Sequence, residues 1–86
     1  MRLKVPSQLY AYTQRASVVD IEGSTLAEVL DEMERRFPGI RFRVIDEQDR
    51  VRPHIRFFVN GEQVLGISHP LTPTDEVQIV GALSGG

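Results

Sequence analysis

The side chains of this sequence offer few groups for catalysis. Cysteine is absent, which excludes a thiol nucleophile and a thiolate metal site. His54 and His69 lie fifteen residues apart without carboxylates at supporting spacing, so neither a metal site nor a catalytic triad is predicted. The candidate reactive group is the carboxylate after Gly85 and Gly86, which end the sequence. A random chain ends in two glycines roughly 0.5% of the time, so the pair alone assigns no function.

Length and composition predict one small domain. A chain of 86 residues is expected to bury roughly 60–65% of the surface that its unfolded form exposes. That is enough for one modest core but not for a deep cofactor pocket. No apolar run approaches the roughly 20 residues that cross a bilayer, and the amino-terminal residues lack the apolar region of a signal peptide. We therefore expect a cytoplasmic protein with no membrane segment and no bound cofactor.

Charge is distributed unevenly along the chain. The formal net charge is −2, which argues against general affinity for nucleic acid. Seven of the ten basic residues nevertheless fall in one segment: Arg35, Arg36, Arg41, Arg43, Arg50, Arg52 and Arg56. Solvated loops and helix ends are the simplest interpretation, and a docking face for an acidic partner is the alternative. Nucleic-acid binding is disfavoured because no stacking aromatic residues are interleaved in a recognisable motif.

Two short strands are predicted at the start of the chain. MRLKVP alternates apolar and charged residues, as a half-buried strand does. ASVVDIEG places Val19 and Ile21 on one face and acidic residues on the other. The two strands are predicted to pair as a hairpin through the loop at residues 8–15.

The clearest element is the helix that follows. In STLAEVLDEMERRFPG the apolar residues recur with helical spacing and predict one buried stripe. The stripe consists of Leu26, Val29, Leu30, Met33 and Phe37. Thr25 and Glu28 have the spacing of a capping box, and Pro38-Gly39 is predicted to end the helix. Two ion pairs at i,i+4 spacing are predicted, Asp31–Arg35 and Glu32–Arg36.

The second half of the chain is predicted to be mostly strand. The segment that begins IRFRVI at Ile40 is predicted to start as a strand and to reach a polar turn at Asp46–Asp49. HIRFFV alternates two faces, and Asn60-Gly61 predicts a tight hairpin because both residues tolerate positive φ. EVQIVGAL is the predicted last strand.

This order predicts an α+β roll in which one main helix covers one face of a mixed sheet of about five strands. The first and last strands are expected to be neighbours. Residues 1–81 are predicted to form the domain, and residues 82–86 a flexible tail.

The same order resembles the ubiquitin-like β-grasp and, more narrowly, the MoaD/ThiS family of sulfur carriers. That family includes the thiamine-pathway carrier and the small subunit of molybdopterin synthase. The resemblance is carried by TLAEVLDEMERRFPG, FFVNGEQV, HPLTPTDEVQIV and ALSGG. The chain departs from the family at residues 73–75, where many members have Asp-Gly-Asp, and at Gly81, near which molybdopterin-type carriers often have proline. These departures leave the pathway unassigned.

The resemblance implies a protein cosubstrate rather than an independent enzyme. A ubiquitin-activating-like enzyme would use ATP to adenylate the carboxylate of Gly86. Attack by a sulfur nucleophile would then leave a thiocarboxylate, and its sulfur would pass to an enzyme of cysteine, molybdopterin or thiamine synthesis, or of tRNA thiolation. The residues implied to thread the activating site are Ala82, Leu83, Ser84 and Gly85. Five residues span at most roughly 17 Å, and glycine suits a narrow tunnel because it has no Cβ.

Two residues of the predicted hairpin are candidates for partner docking. Phe58 lies opposite the buried face of its strand, where it either covers the open sheet or forms an apolar patch. Arg56 is the second candidate, although an ordinary surface position is the simpler interpretation of it. Two other functions use the same fold: a ubiquitin-like modifier joined through Gly86 to lysines, and an interaction module whose carboxyl terminus has no role.

Overall fold

The computed structural model describes residues 1–81 and contains a five-stranded sheet with one main helix. The strands are β1 (Arg2–Lys4), β2 (Val18–Asp20), β3 (Ile55–Val59), β4 (Glu62–Val64) and β5 (Glu76–Gly81). The helices are α1 (Leu26–Arg36) and the short α2 (Ile40–Val44), and a 3₁₀ turn spans Ser7–Leu9 between β1 and β2. Across the sheet the strands follow the order β2-β1-β5-β3-β4.

The sheet is mixed because β1 and β5 run parallel, with Leu3 opposite Val77. The other three pairs, β1–β2, β3–β5 and β3–β4, are antiparallel. The predicted hairpin of the first two strands and the predicted pairing of the first strand with the last are both confirmed. The α+β roll of β-grasp type is confirmed with them.

One core lies between α1 and the inner face of the sheet. Helix α1 contributes Leu26, Val29, Leu30 and Met33, all buried. Phe57 and Val77 are fully buried on the strands. Burial of each large apolar side chain stabilises the fold by about 1.5–3 kcal/mol. Phe37, the last member of the predicted stripe, lies at the helix C-cap and is only partly buried.

The start of α1 is capped by two side chains. Thr25 Oγ1 accepts a hydrogen bond from the backbone N–H of Glu28 at 3.2 Å, as predicted. The Glu28 carboxylate accepts from the N–H of Ser24 at 2.9 Å, one residue before the position that a capping box uses. Both bonds satisfy backbone donors near the helix start.

Both ion pairs predicted along α1 are wrong. Arg35 pairs with Glu32, which precedes it by three residues. Asp31 instead meets Arg41 of α2 at 3.0 Å, and Arg36 donates to a backbone carbonyl at the end of β2 at 2.6 Å. Asp31 and Arg36 therefore bind groups of other elements instead of the neighbours on α1 that the spacing predicted.

The strand predicted from Ile40 is also wrong, because these residues form α2. Ile40 and Val44 are buried one helical turn apart, whereas Phe42 between them is 58% exposed. Apolar residues at positions 40, 42 and 44 fit a strand, but positions 40 and 44 equally fit a helix, so a short run does not discriminate. The polar turn that follows is confirmed: Asp46 accepts the backbone N–H groups of Gln48 and Arg50, each at 2.9 Å.

Glu34 stabilises the start of α2. Its carboxylate accepts the backbone N–H of Gly39 at 2.8 Å and that of Arg41 at 2.9 Å. These hydrogen bonds hold the pKa of Glu34 below its usual value. Gly39 has φ +100°, a conformation that a residue with a Cβ rarely adopts, so Pro38-Gly39 ends α1 as predicted.

Asn60 and Asp75 join the hairpin turn to the start of β5. Asn60 and Gly61 have φ values of 51° and 86°, as the predicted tight turn requires. Asn60 Oδ1 accepts the N–H of Glu76 at 2.9 Å, and its Nδ2 donates to Asp75 Oδ1 at 2.9 Å. Asp75 also accepts the backbone N–H of Thr72 at 2.8 Å.

Acid should weaken this junction. The N–H of Thr72, followed by the amide of Asn60, lowers the pKa of Asp75. Because its folded-state pKa lies below the unfolded value, the carboxylate contributes stability that is complete above about pH 4 and is lost as the pH falls through the folded pKa. We expect the free energy of unfolding, measured by urea titration, to decrease below about pH 4.

In the variant Asp75→Asn, the free energy of unfolding should decrease less in acid than it does in the unmodified protein. Glu47→Gln is the matched control, because Glu47 is exposed and makes no side-chain hydrogen bond within residues 1–81. An acid response in Asp75→Asn identical to that of the unmodified protein would show that Asp75 does not contribute to it.

Candidate functional site

The candidate site begins at the end of β5. Gly81, the last residue of that strand, lies opposite Ile55 of β3. Its carbonyl accepts a hydrogen bond from Gln8 Nε2 at 3.0 Å. The predicted reactive residue Gly86 and the predicted threading residues Ala82, Leu83, Ser84 and Gly85 lie outside the described residues. Their roles, and the division into domain and tail at residue 81, stay predictions.

Gln8 is a residue of this site that the sequence did not indicate. It lies in the 3₁₀ turn between β1 and β2, far from Gly81 along the chain, and no motif marks it. A Cβ added to Gly81 would come within 3.0 Å of the Gln8 side chain, which shows how closely the two segments approach. A hydrogen bond of this kind contributes about 0.5–1.5 kcal/mol, so Gln8 helps to fix the strand end from which the tail continues.

Phe58 lies on the open face of the sheet, which we define as the face opposite α1. One row of side chains crosses this face from β2 to β4: Val18, Lys4, Gln78, Phe58 and Gln63. Phe58 is partly buried in this row, between two glutamines. Phe58 is therefore the aromatic member of an otherwise largely polar row. It lies on the face of β3 that the sequence alternation predicted.

Arg56 lies on the same open face and closer to the end of β5. It is exposed and faces Val80, one position before Gly81. Its guanidinium donates to the backbone carbonyls of Pro53 and Ile55 at 2.8 and 2.9 Å. The structure therefore brings both predicted docking residues to one face, with Arg56 beside the strand that leads to the tail. Their part in docking stays a prediction.

His54 and His69 are both exposed. Within residues 1–81, no group of three side chains that commonly bind metal is arranged around a common point. No helix in the same part of the chain is long and apolar enough to cross a membrane.

Comparison with known proteins finds one family pattern and several similar structures that match almost the whole chain. The sequence pattern of the ThiS family matches residues 3–86. A chain in the crystal structure of the Amycolatopsis orientalis BexX/CysO complex is 28% identical and superposes with a TM-score of 0.91, over 99% of this chain and 98% of that one. Mycobacterium tuberculosis CysO, described as an antigen, is 25% identical with a TM-score of 0.89, over 95% of this chain and 98% of its own.

A third similar structure comes from an archaeon. SAMP1 of Haloferax volcanii is 26% identical and superposes with a TM-score of 0.78, over 100% of this chain and 98% of that one. The search of curated proteins found no match. The likeness therefore rests on the family pattern and on solved structures.

Proposed function

Because this chain belongs to the ThiS family, we propose that it is a sulfur carrier protein that acts through the carboxylate of Gly86. The observation that carries the proposal is the reach of the family match, which extends over the whole fold and through the terminal Gly-Gly to residue 86. The confirmed β-grasp fold supports it, since β5 leads directly into that segment.

The proposed chemistry begins with activation by a partner enzyme, because a carboxylate is a poor electrophile. The Gly86 carboxylate attacks the α-phosphorus of ATP, pyrophosphate leaves, and an acyl-adenylate forms. A persulfide sulfur then attacks the carbonyl carbon and AMP leaves. A thiol reduces the resulting acyl disulfide and releases a thiocarboxylate at Gly86. Cysteine, molybdopterin and thiamine synthesis are candidate uses of this sulfur.

The described residues would hold the base of the tail in place during these steps. Strand β5 is hydrogen-bonded to β1 on one side and to β3 on the other, and Gln8 fixes the carbonyl of Gly81. The residues after it reach at most roughly 17 Å, so a partner must approach this end of the sheet to meet the carboxylate. ATP is bound by the partner in this scheme, and the carrier itself needs no cofactor.

The carrier would work with two partner proteins, an adenylating enzyme and an enzyme that accepts the sulfur. The structure of the Amycolatopsis CysO with BexX supports the idea that proteins of this shape act in complexes. Phe58 and Arg56, on the open face near the end of β5, are the proposed contacts for the adenylating enzyme.

The intact mass of the protein isolated from its own cells tests this function. We expect a fraction of molecules with the mass increase of one sulfur in place of one oxygen, and fragmentation should place that sulfur on Gly86. Protein incubated with ATP and a sulfur source but without the adenylating enzyme is the control and should remain a free acid. A free acid in every sample, including one supplied with the enzyme, ATP and sulfur, would contradict the proposal.

The likeness to SAMP1, a small archaeal modifier protein, favours conjugation to lysines as a second candidate function. The same activated carboxylate would then form an amide with a lysine amine. Lys4 is the single lysine of this chain, and it pairs with Glu76 at 3.3 Å. Lys4→Arg therefore removes every internal acceptor lysine. Conjugates that persist in this variant, with Gly86 joined to lysines of other proteins, would favour the modifier.

A further inference from the structure

The arginines of the basic segment fall into two groups. One group forms ion pairs: Arg35 with Glu32, Arg41 with Asp31 and Asp49, and Arg50 with Asp46. The other group has no carboxylate partner within residues 1–81 and consists of Arg36, Arg43, Arg52 and Arg56. The positive charge of the segment is therefore compensated in some places and left uncompensated in others.

Three aromatic rings accompany the uncompensated group. The guanidinium carbon of Arg36 lies 5.5 Å from the centroid of the Phe37 ring, and that of Arg43 lies 5.9 Å from the Tyr12 ring. The closest approach is 4.4 Å, between Arg52 and Phe42. Stacking on a ring fixes a guanidinium without neutralising its charge, which leaves it available to an anion.

Phe42, Arg43, Arg52 and His54 line one shallow cleft of about 230 Å³, and we name these four residues the arginine platform. Arg52 is fixed in it by two interactions, since its Nε also donates to the carbonyl of Phe42 at 2.7 Å. Phe42 is 58% exposed, which is unusual for a phenylalanine in a chain of this size. The platform thus combines an exposed ring with oriented, uncompensated guanidinium groups.

The arginine platform continues toward the end of β5. Arg52 also lines a second cleft of about 430 Å³, together with Arg56 and with Leu65, which is 84% exposed. Ile55, which lines this second cleft, lies opposite Gly81. A partner that covers the platform is therefore placed beside the strand that leads to the tail.

We propose that the arginine platform docks an acidic segment of the adenylating enzyme, the partner protein that receives the tail. Carboxylates of that segment would pair with Arg43 and Arg52, and an apolar side chain between them would cover Phe42. Charge complementarity carries this choice, because the platform has guanidinium groups without carboxylate partners among the described residues. Bidentate pairing with carboxylates is the interaction that arginine favours. The inference deepens the proposed function and rests on it.

Peptide binding to the full chain tests the platform directly. The probe is a fluorescent synthetic peptide of glutamates and aspartates with two leucines. In the control peptide, glutamine replaces each glutamate and asparagine replaces each aspartate, and the leucines are kept. Binding of the acidic peptide should weaken as salt rises, because exposed charges are screened. Arg43→Glu should weaken it about tenfold, because charge reversal makes a contact repulsive.

Arg50→Gln is the matched control for Arg43→Gln. Both arginines are exposed and belong to the basic segment, but Arg50 is already paired with Asp46. We expect the neutralised Arg43 to lose affinity and the neutralised Arg50 to retain it. Equal losses in the two variants, equal binding of both peptides, or tighter binding of a single-stranded RNA oligonucleotide would overturn the proposal.

Sulfur acquisition, measured in parallel, separates the two proposals. Specific peptide binding by a chain that never acquires sulfur would leave the platform standing and reject the sulfur carrier. Sulfur acquisition at an unchanged rate in Arg43→Glu, without peptide binding by the unmodified chain, would reject the platform and leave the carrier standing.

Discussion

Extending the chain by one alanine after Gly86 should abolish sulfur acquisition while the fold remains intact. One residue displaces the carboxylate by up to about 3.5 Å, and a misplacement of about 1 Å already costs on the order of 10²-fold in rate. Gly86→Ala should have a similar effect, because a Cβ is added next to the carbon that must react. Neither change replaces a residue of the core described within residues 1–81. The expected result is full retention of thermal stability with loss of the thiocarboxylate mass.

The control for these variants is Ser84→Ala, which keeps a small side chain and the length of the tail. It should acquire sulfur at a rate close to that of the unmodified protein. Continued sulfur acquisition by the extended chain would show that the terminal carboxylate is not the acceptor. Full biological function after deletion of Gly85 and Gly86 would instead favour the interaction module.

The elements that the sequence predicted well are those whose pattern is long or chemically specific. Helix α1 shows helical periodicity over eleven residues, and its buried residues are the predicted ones. The hairpin at Asn60-Gly61 depends on two residues that tolerate positive φ, which few other pairs do. Both signals depend on residues that are close in sequence, so they can be read without knowledge of the tertiary structure.

The elements that the sequence did not predict depend on contacts between different elements of the fold. The segment from Ile40 forms α2, and Glu34 of the preceding helix stabilises its start by accepting the N–H groups of Gly39 and Arg41. Arg41 pairs with Asp31 and Asp49. Such pairs are not visible in the sequence, so it did not show which arginines of the basic segment have a carboxylate partner. Gln8 could not be identified from the sequence for the same reason, since its partner Gly81 is the last residue of β5.

The candidate site was predicted through two kinds of reasoning. Alternation along β3 placed Phe58 opposite the buried Phe57, and the strand pairs bear this out. Gly86 was identified by resemblance to a family, because a terminal carboxylate carries no pattern of its own. Confirmation of the family supports that role, and the mass measurement tests it.

The neighbouring phenylalanines of β3 should separate stability from docking. Phe57 is fully buried, so Phe57→Ala is expected to lower the free energy of unfolding by about 3–5 kcal/mol. Phe58 is only partly buried on the open face, so Phe58→Ala should cost about 1 kcal/mol. If Phe58 is a docking contact, the same change should lower kcat/KM for the carrier by about tenfold to thirtyfold in the adenylation reaction.

Pyrophosphate release by the adenylating enzyme measures this effect, and a urea titration confirms that each variant is folded under the assay conditions. Val18→Ala is the matched control, because Val18 belongs to the same row on the open face but lies at its far edge, on β2. It loses an apolar side chain that is 37% exposed and should keep its kcat/KM. An unchanged kcat/KM in Phe58→Ala would mean that Phe58 only covers the sheet, and the docking surface would then have to lie nearer to Arg56 and the end of β5.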